Sequence, residues 1–155
     1  MTLLTPIFIA LHLLAAIVWV GGMFFAHQAL RPAAATLLDP PQRLPLWVGT
    51  FGNFFPWVWV SIVLLMITGY SMIFHTFGGM ASVGLHIHLM QGIGWIMMLL
   101  FMHLFFAPYK RLQRAVTIGD WPAAALQLAQ IRRIVGINLI LGLSVGVIAS
   151  AGRYL

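Results

Sequence analysis

Apolar residues along the chain gather into four runs, at about 6–30, 51–77, 85–107 and 134–152, and the shorter stretches between them carry most of the charge. A hydrocarbon core ~30 Å thick is crossed by ~20 residues of helix, so each run is long enough to span it. None of the runs alternates apolar with polar residues as a barrel strand would. Lipid accepts only backbones that satisfy their own hydrogen bonds, so each run predicts a helix. The expected architecture is all-α, a single integral membrane domain over 1–155 forming a four-helix bundle.

The punctuation between runs refines this picture. Pro32, Pro40, Pro41 and Pro45 predict a firm end to the first helix and a connection over 31–50. In the connection over 108–133, Asp120-Trp121-Pro122 reads as a helix start, with Asp as the cap and Pro in the first turn. Arg31 and Arg43 lie in the first connection, and Lys110, Arg111, Arg114, Arg132 and Arg133 in the third, whereas the second has no Lys or Arg. The positive-inside rule then makes the first and third connections cytoplasmic in a bacterial inner (plasma) membrane. Both termini face the outer, periplasmic side, with only Arg153 against the rule. The first run is longer than a signal-peptide core and lacks a basic stretch before it, so it reads as a retained span.

Composition removes several function classes. With 62% hydrophobic and 6% charged residues and a mean hydropathy of +1.01, the chain is unsuited to a soluble fold, in which roughly a quarter of residues are charged. It has no cysteine, which excludes disulfides, thiolate metal sites and iron–sulfur clusters. Topology accounts for the net charge of +6, so the expected partner is the lipid bilayer and not nucleic acid. The only acids are Asp39 and Asp120, and no nucleophilic triad, carboxylate pair or phosphate loop is present.

A duplication is visible beneath the apolar background. His12, Trp19, His27 and Pro32 match His88, Trp95, His103 and Pro108, both reading His-x6-Trp-x7-His-x4-Pro. After a five-residue slip, Ala34-x-Thr36-x-x-Asp39-x-Pro41 parallels Ala115-x-Thr117-x-x-Asp120-x-Pro122. The bundle is therefore expected to consist of two repeated two-helix units related by an axis along the membrane normal, with the first and third helices parallel.

Ionisable residues within a membrane are costly and mark function. Fifteen residues separate the two histidines of each helix, which is ~22 Å of rise and ~60° of rotation, so both can share one broad face. If the parallel helices face each other, His12 meets His88 and His27 meets His103, at two levels of the bilayer. Each pair could hold the iron of one b-type haem through neutral imidazole nitrogens. Two such haems would carry electrons across the membrane, and Arg31, Tyr109 and Lys110 could neutralise propionates. A quinone or small oxidant would be the redox partner. For each histidine taken alone, the plainer alternative is a hydrogen bond between helices.

A different chemistry is available at the outer end. His86 lies about 200° around the helix from His88, so the two cannot both face the core. With Met72, His75, Met80 and Met90 it offers imidazole and thioether ligands suited to copper, Cu(I) in particular. Trp47, Trp57 and Trp59 read as an interfacial belt, and Asn138 as a hydrogen bond between helices. Exposed small residues would allow a homodimer, without locating its interface.

Ala10-Leu11-His12 with Trp19, Gly21, Gly22 and Arg31-Pro32 resembles the CopD family of bacterial membrane proteins, named for copper resistance, and the related HemJ family of membrane protoporphyrinogen oxidases. The likeness continues through Leu85-His86-Ile87-His88 and from Tyr109 to Arg114, covering most of the chain. CopD membership implies copper transfer across the inner membrane. HemJ likeness implies a four-helix bundle holding haem b through the histidine that matches His12. HemJ-like proteins carry a functional lysine in a His-x-Lys pattern on the third helix, where this chain has His88. That departure weakens the reading as a protoporphyrinogen oxidase and favours a second axial ligand. The leading expectation is a two-haem, bis-histidine electron carrier, with copper uptake as the alternative.

Overall fold

A computed structural model describes residues 4–154, with the side chain of Arg153 excepted. Four long helices account for nearly all of it: α1 (Leu4–Leu37), α2 (Pro40–Thr76), α3 (Leu85–Thr117) and α4 (Trp121–Ala151). No strand occurs among the described residues. The four apolar runs each fall within one helix to within a residue or two, and the chain is a multi-pass membrane protein.

The connections are far shorter than the sequence suggests. Leu38 and Asp39 alone join α1 to α2, and Ile118 to Asp120 join α3 to α4. The expected connections over 31–50 and 108–133 are thus mostly helix. Pro32 does not end α1, because the backbone widens just before it. Residues Ala26–Leu30 form a π-helical turn in which the Arg31 N–H reaches back to the Ala26 carbonyl, and the helix runs on to Leu37. A second wide turn, Phe105–Tyr109, carries Pro108 through α3. Such turns relieve the ring clash and missing donor of an internal proline. Pro40 and Pro41 open α2 instead of ending α1, since a first-turn proline lacks only an N–H that would have no partner there.

The turn after α3 follows the expected chemistry. Gly119 takes φ +73°, and the Asp120 N–H closes back on the Ala115 carbonyl, as in a Schellman C-cap. Asp120 Oδ1 then accepts from the Ala123 N–H at 3.0 Å, capping α4 with Pro122 in its first turn. Asp39 stands in the corresponding place before α2, without a side-chain cap.

Helices α1 and α2 form one antiparallel hairpin and α3 and α4 another, and α4 also packs on α1 and α2. Helices α1 and α3 are not close neighbours along their backbones, and large rings bridge the gap between them. Trp19 meets Phe101 edge-on at 6.2 Å. An aromatic ladder fills the half of the bundle nearer the two short turns. Trp47, Phe51 and Phe55 stack down α2 at 5.1–5.2 Å and meet Tyr109 and Phe101 of α3 at 4.8–6.1 Å. Trp47 is fully buried here and Trp59 packs on Phe101 and Phe105, so only Trp57 of the three remains exposed, as an interfacial belt residue would be. Asn138 lies in the core, and its Nδ2 donates to the Met97 carbonyl at 3.1 Å, the interhelical bond expected of it.

Candidate functional site

His12 sits in the third turn of α1 and is held by α2. Its Nδ1 lies 2.8 Å from the Thr68 hydroxyl, and its ring rests on Gly69, where an added Cβ would come within 3.2 Å of Cε1. The glycine leaves room for an imidazole between the two helices. Thr68 is buried, and its one hydroxyl hydrogen goes to the Leu64 carbonyl one turn back. The hydroxyl can then only accept from His12, so the proton is on Nδ1. That leaves the Nε2 lone pair free for a ligand. A fixed tautomer with the second nitrogen available is the usual state of a metal-ligating histidine.

The pairing of histidines expected across the bundle is not what the fold builds. His88 is exposed, while His86, on the other side of the helix, is half-buried, with its Cβ against Gly152 at the end of α4 and its ring over Gly84. His103 is also exposed. His27 faces α4, with Nε2 near Gly136, and its Nδ1 is buried without a hydrogen-bond partner. So His12 looks to α2 and His27 to α4, whereas His88 and His103 look outward. The expected face-to-face clamps of His12 with His88 and of His27 with His103 are therefore corrected, because α1 and α3 do not present these faces to each other.

Interior space leads to the same conclusion about haem. Two small cavities share Ala26, Phe51 and Val135 as walls, the first bounded by all four helices and the second by α1, α2 and α4. The first, of about 20 Å³, includes Met23 and Asn138 in its lining, and the Asn138 Oδ1 is buried without a partner. The second, of about 10 Å³, is lined by His27, Arg31, Trp47 and Arg132. Each is the size of a water site, whereas pockets for flat organic ligands run to roughly 300–1,000 Å³. Neither cavity would admit a porphyrin.

The outer copper candidates share one end of the molecule. Met72 and His75 lie in the wide turn that closes α2, Met72 half-buried and His75 exposed. Met80 follows in a short 3-10 turn, and His86 and Met90, both half-buried, lie in the first turns of α3. His12 is near the same end. Among the described residues no three His, Asp or Glu side chains converge as a metal cluster.

Sequence reasoning overlooked Thr68 and a polar knot beside it in α2. The Tyr70 hydroxyl accepts from Gln91 Nε2 at 2.7 Å and from Trp95 Nε1 at 3.2 Å, tying α2 to α3. The signal was present, since Thr68, Tyr70 and Gln91 are polar residues within apolar runs. Only the packing reveals their partners.

Residues 48–151 match the family model CopD, described as copper resistance protein D. The matched segment takes in most of α2 and all of α3 and α4, and leaves α1 with His12 outside it. No curated protein and no solved structure matches the chain.

Proposed function

The chain belongs to the CopD family, and from that premise we propose that it handles copper at the end of the bundle opposite the two short turns. His12 supplies a ligand through Nε2. The single observation carrying this reading is the Leu64–Thr68–His12 chain of hydrogen bonds, which holds one imidazole nitrogen protonated and the other open. His75, His86, Met72 and Met90 are the candidates to complete the coordination, with imidazole and thioether donors that favour Cu(I). With the basic end on the cytoplasmic side, the copper end faces the periplasm, as uptake requires. The ion is cargo here, and ligands spread over α1, α2 and α3 let it pass between them without being held in a closed cage.

The test is Cu(I) titration of the purified protein against a competing chelator, together with a reduced-minus-oxidised spectrum. Wild type should hold copper, and His12→Ala should lose the tightest site. Sharp b-type bands in the spectrum, or copper binding unchanged in His12→Ala, would defeat the proposal.

A further inference from the structure

At the end of the bundle that carries the short turns, Arg31 of α1 and Arg132 of α4 line one small cavity, and Arg43 of α2 is close enough for its charge to reach Arg132. The charges of Arg31 and Arg43 both act on Arg132, which is itself half-buried. Among the described residues nothing neutralises them. The chain's only acids are Asp39 and Asp120, and among the described residues neither forms an ion pair with any of the three. The hydrogen bonds they do make are sparse. Arg43 Nη1 donates to the Ala35 carbonyl at 3.5 Å, Arg132 Nε to the Leu128 carbonyl at 3.4 Å, and Arg31 makes none. A guanidinium has five N–H donors, so most of this set is unused.

Beside the cluster lies the small cavity lined by Arg31, Arg132 and His27, whose Nδ1 is buried and without a partner. Like charges gathered from separate helices with no counterion repel one another and oppose the packing that brings them together. An anion in contact with all three would turn this repulsion into attraction. Guanidiniums match the oxygens of phosphate in pairs, and a phosphate carries the charge the site lacks. The cluster sits at the basic end of the bundle, the end that anionic headgroups attract.

We propose that Arg31, Arg43 and Arg132 bind the phosphate group of an anionic phospholipid or a free phosphate. This site is separate from the copper end and does not depend on it.

The experiment uses the full chain in detergent. Thermal unfolding and native mass spectrometry are recorded with phosphatidylglycerol, with phosphatidylcholine and with inorganic phosphate. Phosphatidylglycerol should raise the unfolding temperature and survive as a bound adduct, and phosphatidylcholine should do so more weakly. A response to inorganic phosphate as large as that to phosphatidylglycerol would identify free phosphate as the source and still support the site. Arg132→Gln and Arg43→Gln should each weaken binding about tenfold, the loss expected for one charge-assisted contact. Because Arg31 is exposed, Arg31→Gln gives the same test without disturbing packing. The double variant Lys110→Gln/Arg111→Gln, basic but outside the cluster, should bind as wild type does. No response to any phosphate, an equal response to both lipids, or equal loss in the Lys110/Arg111 variant would overturn the proposal.

Discussion

Helices α1 and α3 carry the same sequence signature and place it in opposite surroundings. Trp19 is 2% exposed and Trp95 is 42% exposed, while Phe25 is 61% exposed and its sequence counterpart Phe101 is 3% exposed. His12 is locked onto Thr68, whereas His88 points away from the bundle. The reason lies in the five-residue slip between the two matching blocks. Near the turns two buried positions repeat at the spacing of the turns, Met23 and Ala34 in α1 corresponding to Leu104 and Ala115 in α3, each 81 residues on, although buried Ala15 corresponds to exposed Ile96. The histidine motif repeats at 76, as His12 and His88 show. Five residues of helix rotate a face by ~140°, so once the turns are superposed the second motif looks outward. Two copies of a motif are two copies of a site only if the register to the packed face is also kept.

Substitutions at matched positions sharpen or break this contrast. The largest effect on stability should come from Trp19→Ala, which opens a cavity against Phe101 and should cost about 3–5 kcal/mol, measured by unfolding in mixed detergent. Trp95→Ala should cost no more than about 1–2 kcal/mol, the loss of one hydrogen bond to Tyr70. Similar losses in both would mean that the two tryptophans are equally packed and the rotation is wrong.

On the copper side, His12→Ala should weaken Cu(I) binding by more than the ~10–100-fold typical of losing an outer-shell partner, and His88→Ala should leave the His12 site intact. Chelator competition on the two variants decides the matter, and equal losses would restore the paired reading. Thr68→Val removes the hydroxyl that fixes the His12 tautomer and should weaken the same site by about 10–100-fold, with the fold retained. An unchanged affinity would detach Thr68 from the ligand's orientation.

Smaller still is the contrast between glycines. A Cβ at Gly22 would collide with the Phe54 ring, whereas one at Gly92 would meet nothing within 4 Å. Gly22→Ala should therefore cost about 1–3 kcal/mol by overpacking. Gly92→Ala should stay within about 0.5 kcal/mol of wild type, as surface changes usually do. Unfolding midpoints of the two variants measure the difference.

The sequence by itself determined the elements. Four apolar runs in a chain with 6% charge can only be membrane helices, because lipid offers no partner for unpaired backbone groups. Asp120 with Pro122 marked the start of α4, and Asn138 announced a bond between helices. The lengths of the helices were hidden, since prolines that look like helix ends are carried through by wide turns at Ala26–Leu30 and Phe105–Tyr109. Which histidine faces what was decided by tertiary structure alone. Periodicity fixes the angle between residues on one helix, but the rotation of each helix about its own axis is set by how large rings such as Trp19, Phe55 and Phe101 fill the shared interior. Those contacts join residues tens of positions apart, and no local pattern encodes them.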